Sequence, residues 1–212
     1  MKPVVYTIGR QYGSGGREIG QKLAKKLGIP FYDNELIALA AKKSGVSEEI
    51  FKQADEKPTN SFLYSLAIGA YSMGQGLVGY TDMSINDKLF IAQSQVIEDA
   101  VAHGSCVIVG RCADYVLRDY PNLINIFVCG ELEDRYNALA KDELKDIPRQ
   151  KAIEMINKKD KTRANFYNYY SNKKWGDMVN HDLIINTSDI SRDDAVELIV
   201  EYTKYNQKKK GL

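Results

Sequence analysis

Glycines at positions 9, 13, 15 and 16 stand between the apolar run Val4–Ile8 and a stretch of helical period that begins at Glu18, with Arg17 directly behind the last of them. A strand that ends in such a loop and passes at once into a helix aims backbone N–H groups and the positive end of a helix dipole at one point. That is the chemistry of phosphate binding. Gly13, Gly15 and Gly16 lack a Cβ and can take positive φ, so the backbone can approach a phosphate closely, and Ser14 adds a hydroxyl that is a candidate magnesium contact. The strict pattern G-x-x-x-x-G-K-[ST] is absent: counted from Gly9, the pattern's second glycine arrives one or two residues late, at Gly15 or Gly16, and no lysine follows it. Arg17 is the nearest cation and could meet the β- and γ-phosphates with its two-donor fork. A cation at a helix N-terminus is disfavoured by the dipole unless an anion is close. The plain alternative is a tight strand-to-helix turn with a solvated arginine.

Three further groups have chemistry to offer. Arg111 follows Val107–Val109 and Gly110, at the carboxyl end of a strand, where open α/β sheets bind ligands; structurally it could instead pair with Asp33 or Asp114. Asp33 and Glu35 close the second strand and could cap the next helix through its free N–H groups. In "KKDKTR", Asp160 and Arg163 lie three apart, which on a helix places them on adjoining faces and permits an exposed salt bridge. The aromatics Phe166, Tyr167, Tyr169, Tyr170 and Trp175 follow, read as packing first and base stacking second.

These groups need a frame. Short β-branched runs at "VVYTI", "IPFYD", "SCVIVG", "NLINIFVCG" and "DLIINTS" alternate with helical periods over Glu18–Leu27, Glu35–Lys43, Asp87–His103, Glu131–Ala140, Pro148–Asn157 and Arg192–Tyr205. Such alternation predicts an α/β fold, a parallel sheet with helices on both faces. Residues 47–85 carry no clean strand and are read as a mostly helical insertion in a single domain spanning 1–212. The formal net charge of +1 argues against nucleic acid as a partner, and no apolar run is long enough for a membrane span. Three cysteines without metal-type spacing, and no apolar signal core, point to a reduced, cytoplasmic setting. Oligomeric state is not indicated.

The stretches "YTIGRQYGSGGREIGQKLAKKLGIPFYDNELI", "VIVGRCADYVL" and "KKDKTRANFYNYY" resemble the cytidylate-kinase-like proteins, a branch of the P-loop nucleoside monophosphate kinases. The resemblance covers nearly the whole chain. It implies a P-loop kinase fold of five parallel strands, a nucleotide-binding insertion at 47–85 and a lid at 149–177. It also implies transfer of the ATP γ-phosphoryl, with Mg²⁺, to a nucleoside monophosphate, CMP or dCMP being the best guess. By the resemblance Gly13, Ser14, Gly15, Gly16 and Arg17 bind the donor phosphates. Arg17, Asp160 and Arg163 are catalytic, and Asp33, Arg111 and Asp114 bind the acceptor. The chain departs from the pattern in three places: Cys112 replaces the aspartate expected after Arg111, Ile156 stands where a further lid arginine belongs, and the loop lysine is missing. The alternatives are a kinase of this fold with another small acceptor, a nucleotide-binding module without turnover, and a non-nucleotide anion binder.

Overall fold

The computed structural model describes residues 3–33 and 85–210. The helix read over Glu35–Lys43, and the insertion read over 47–85 apart from Ile85, lie outside the described residues. In chain order the elements are β1 (Val5–Arg10), α1 (Gly16–Leu27), β2 (Phe31–Tyr32), α2 (Ile85–Ala102), β3 (Cys106–Val109) and α3 (Ala113–Val116). They continue with β4 (Leu123–Cys129), α4 (Leu132–Leu139), α5 (Arg149–Ser171), β5 (Leu183–Asn186) and α6 (Arg192–Lys210). Two compact units divide the chain, 1–33 with 100–212 and 34–99, and the first carries all five strands.

The strands pair in parallel in the order β2-β3-β1-β4-β5. Every one falls on an apolar run read from the sequence; the central β1, β3 and β4 are largely buried, which calls for an almost continuous hydrophobic stretch, while the edge strands β2 and β5 are more exposed. Alternate side chains of the central strands, Tyr6 and Ile8, Val107 and Val109, and Ile124, Ile126 and Val128, form one core with Ile19, Leu23 and Ala24 of α1 and Ala195, Val196 and Ile199 of α6. Ile19 is fully buried, so truncating it to alanine removes about 3 kcal/mol of stability. Phe127, of opposite parity on β4, points to the other face, where Trp175 meets it edge-on at 5.2 Å between ring centroids. Gly28, at φ 65°, closes α1 with backbone hydrogen bonds to Ala24 and Lys25.

The lid region differs from the expected pattern. The helix expected over Pro148–Asn157 runs unbroken to Ser171 and ends at Asn172, in the left-handed conformation. Its buried positions are Ala152, Ile156, Tyr167 and Ser171, and the eleven-residue step from Ile156 to Tyr167 hides their common face in the sequence. Ala152 and Ile156 share a second small core with Leu139 and Leu144. Asp160 and Arg163 therefore sit in the middle of a rod anchored on both sides. The strand order reverses direction at β1, which has β3 on one side and β4 on the other. Ligands bind at such a switch point, beyond the carboxyl ends of the strands.

Candidate functional site

The loop between β1 and α1 is built as a cradle. Gly13 and Gly15 take φ 83° and 78°, and Gly15 caps the helix without a side-chain bond. Ile19 donates its N–H to the Gly15 carbonyl at 3.0 Å, the first bond of the helix, so the N–H groups of Gly16, Arg17 and Glu18 face the loop with no intrahelical partner. The loop is fixed from outside. Gln11 donates its N–H to Val128 and accepts from the Gly130 N–H through Oε1. Thr187 Oγ1 donates to the Ser14 carbonyl at 2.8 Å, and a Cβ on Gly13 would lie 2.7 Å from the Arg135 carbonyl oxygen. Ser14 is 1% exposed and donates its hydroxyl back to Gln11, so it closes the loop on itself and does not turn outward.

Beside this cradle, four arginines gather on one carboxylate. Arg17 donates from Nε to Asp33 Oδ2 at 2.5 Å, and Arg10 Nη2 stands 4.0 Å from Asp33 Oδ1. Arg163 donates to the Arg10 carbonyl at 3.2 Å and lies over the Tyr12 ring. Arg111 feels both the attraction of Asp33 and the repulsion of Arg163. Burial, then the charge of Arg163, lowers the Arg10 pKa to about 9 against the opposing pull of Asp33, and Arg111 is lowered, again first by burial, to about 10. The guanidinium groups stay charged at neutral pH. Four cations share Asp33, with Asp160 and Glu143 also acting on Arg163, and such a concentration of partly buried positive charge favours a bound anion.

The backbone at Arg111 is itself unusual. Gly110, Arg111 and Cys112 take φ of 80°, 61° and 55° in succession. Two consecutive non-glycine residues in the left-handed region cost about 1–2 kcal/mol each. Such strain clusters at ligand clamps. Cys112 is 4% exposed and burial pushes its thiol well up, so it is a packed, neutral group here.

Asp160 and Arg163 do not pair with each other. Asp160 accepts from the Tyr12 N–H at 2.7 Å through Oδ1 and from Arg135 Nη1 at 2.6 Å through Oδ2. Arg135 also donates to the carbonyls of Gly130 and Tyr12. The carboxylate thus fastens the loop to α5. One helical turn on, Arg163 reaches the cluster. One turn further, Tyr167 donates to Asp114 at 2.7 Å and ties α5 to α3, so Asp114 is engaged as an anchor.

Arg10, Tyr12 and Arg135 were not singled out in the sequence. Arg10 ends a strand, and Arg135 sits inside a helical period, so neither has a local signal. The loop's missing lysine was the one clue to look for a cation elsewhere. Among the described residues no group of three His, Cys, Asp or Glu side chains could hold a metal ion, and no helix is long and apolar enough to cross a membrane.

Comparison with known proteins matches residues 5–189 to the cytidylate kinase-like family. A cytidylate kinase from Pyrobaculum aerophilum is 25% identical over 97% of this chain and 98% of its own. Among solved structures, an uncharacterized protein from Eubacterium ventriosum is 26% identical with a TM-score of 0.68, covering 95% of this chain and 98% of that one. A gluconokinase from Sinorhizobium meliloti shares the fold at 13% identity and a TM-score of 0.55, over 98% and 95% of the two chains.

Proposed function

The chain belongs to the cytidylate kinase-like family, and on that premise we propose that it is an ATP-dependent nucleoside monophosphate kinase whose acceptor is a pyrimidine nucleotide, CMP or dCMP first. The observation that carries this reading is the gathering of Arg10, Arg17, Arg111 and Arg163 around Asp33 beside the N-terminus of α1. Phosphoryl transfer asks a protein for positioning and for cations around spreading negative charge, with little covalent chemistry.

In this reading the N–H groups at the start of α1, with Gly13 and Gly15 opening the backbone, hold the donor's phosphates. Arg111, at the end of β3, grips the acceptor's phosphate, and its strained backbone fixes the direction of the grip. Arg163 comes from the lid helix to the phosphoryl in flight. Asp160 and Asp114 keep that helix in register through Arg135, Tyr12 and Tyr167. Asp33 holds Arg17 and Arg10 apart from each other until the anions arrive. The bond from the γ-phosphorus to the bridging oxygen breaks, and one to an oxygen of the acceptor's phosphate forms. ADP and a nucleoside diphosphate leave with the total charge unchanged. Magnesium is the usual companion of ATP in kinases; the described side chains offer it no cluster of ligands, so the ion would ride on the phosphates and water. No step is assigned to it.

The test is ADP release by the purified protein with ATP, Mg²⁺ and a panel of ribo- and deoxynucleoside monophosphates. Turnover highest with CMP or dCMP is expected. Turnover with another monophosphate corrects the base while keeping the class. Thermal stabilisation by ATP without turnover on any member would refute the nucleoside monophosphate kinase reading.

A further inference from the structure

We propose that Arg10 is the catalytic cation of this protein, standing in for the lysine that its phosphate loop lacks; the inference rests on the phosphoryl-transfer reading above. In the pattern G-x-x-x-x-G-K-[ST] the last glycine precedes the lysine at the start of the helix. Here Gly15 caps α1 and Gly16 is its first residue, so Gly16 occupies the lysine's place and Arg17 the place of the Ser or Thr. Counting five residues back from Gly15, the place of the pattern's first glycine is held by Arg10. The glycine and the cation have changed places.

The packing explains why this exchange is self-consistent. A Cβ on Gly16 would lie 2.6 Å from the Arg10 Cβ and 3.2 Å from its Cγ, so the arginine's stem runs across the space where a lysine at 16 would begin. Long side chains at both positions together would collide; with Arg10 shortened, a Cβ at 16 would still lie 3.1 Å from the Val128 Cβ, which must give by a few tenths of an ångström. Past Gly16 the stem continues to Gly110, where a Cβ would collide with Arg10 Nη1. Two glycines, one on each side, keep the channel open for a single guanidinium. Gly110 also has φ 80°, so its replacement is excluded on two counts.

The channel leads from the donor side to the acceptor side. One end of the Arg10 side chain lies against the first residue of α1, where the loop's N–H groups converge. The other reaches Asp33 and the strained Gly110–Arg111 turn. Its main-chain carbonyl receives Arg163 from the lid helix. Arg10 thus meets the loop with its stem, Gly110 with its guanidinium and the lid residue with its carbonyl. Its side chain is 21% exposed, so a ligand can reach it. An arginine there gives two donors in a plane, matched to two oxygens of one phosphoryl, where a lysine gives a point charge.

The experiment uses the purified chain with ATP and the best acceptor of the monophosphate panel. It reads kcat, the dissociation constants of ATP and acceptor, and the melting temperature for four variants: R10M, R10Q, R10G and R10G/G16K. R10M and R10Q keep the stem over Gly16 without the charge; whichever melts cooperatively is the one measured. A kcat reduced a hundredfold or more, with both dissociation constants within about threefold of wild type, is the expected result. R10G/G16K rebuilds G-x-x-x-x-G-K across residues 10 to 16 and should recover at least tenfold of the turnover lost in R10G, since the lysine enters the space the arginine leaves. Turnover within threefold of wild type in R10M or R10Q overturns the proposal. So does an equal loss in R10G and R10G/G16K when both fold. If the wild-type chain itself turns over no acceptor, it is the kinase reading that has failed, and the loss cannot be laid to Arg10.

Discussion

Asp160 is held by Arg135, at 2.6 Å and almost wholly out of water, and not by Arg163 three residues along the same helix. One carboxylate therefore serves stability while its neighbour is free to serve chemistry, and the two separate by mutation. Asp160→Ala leaves Arg135 buried without its partner and the Tyr12 N–H without its acceptor, so a loss of about 3 kcal/mol is expected in urea unfolding.

Arg163→Ala should behave in the opposite way. It removes one hydrogen bond to the Arg10 carbonyl and a ring contact with Tyr12, costing about 1 kcal/mol of stability. Turnover should fall about a hundredfold, the scale of a contact made in the transition state. Steady-state kinetics with the best acceptor decides it: wild-type kcat would remove Arg163 from the mechanism.

Arg111 invites a test that separates its backbone from its side chain. Arg111→Gly and Arg111→Ala lose the same guanidinium contacts, but only glycine relaxes the φ of 61°. The glycine variant should be the more stable of the two by about 1 kcal/mol, read as a difference in melting temperature. Both should bind the monophosphate more weakly while keeping their affinity for ATP. Equal melting temperatures would mean that the turn at 110–112 carries no strain.

Removing the central carboxylate should make the protein anion-dependent. Asp33 is 5% exposed, and Asp33→Asn removes the carboxylate that Arg10, Arg17, Arg111 and Arg163 share. A drop in melting temperature of several degrees is expected in chloride buffer, corresponding to about 2–3 kcal/mol. Pyrophosphate at matched ionic strength should restore more stability to this variant than to the wild type, through binding to the folded state alone. An identical pyrophosphate response in both proteins would count against a shared site.

His181 sets the acid limit of stability. Both its ring nitrogens are buried without a hydrogen-bond partner, and the ring lies 5.1 Å from that of Phe127. Burial lowers its pKa below the ordinary 6.5, outweighing the pull of Asp114, Asp182 and Asp177, with Lys173 acting in the same direction as burial. The unfolded chain takes up a proton below about pH 6.5 where the folded one resists it, so stability is complete above that value and declines as pH falls beneath it. His181→Phe keeps the ring contact and should flatten the decline between pH 6.5 and 5.5 by up to about 1 kcal/mol, seen in urea midpoints at the two pH values.

The five strands and the glycine loop between β1 and α1 could be read from the sequence because each is a local matter. A doubly buried strand must be a β-branched run, and a loop that takes φ of 83° and 78° at Gly13 and Gly15 calls for glycine at those positions. The family likeness rested on such local stretches too. What the sequence could not decide is which charge faces which. Asp160 and Arg163 look like partners at i and i+3, yet Arg135 and Tyr12, from 25 and 148 residues away, claim the carboxylate. Arg10 has no local signal at all. Its surroundings come from positions 16, 33, 110, 111 and 163, and only the closing of a parallel sheet around β1 brings those residues within reach of one another. Charges act through space, so the pairing of this site was settled by the sheet's order and the packing of α5, while the elements that carry it were settled by the chain's own spacing.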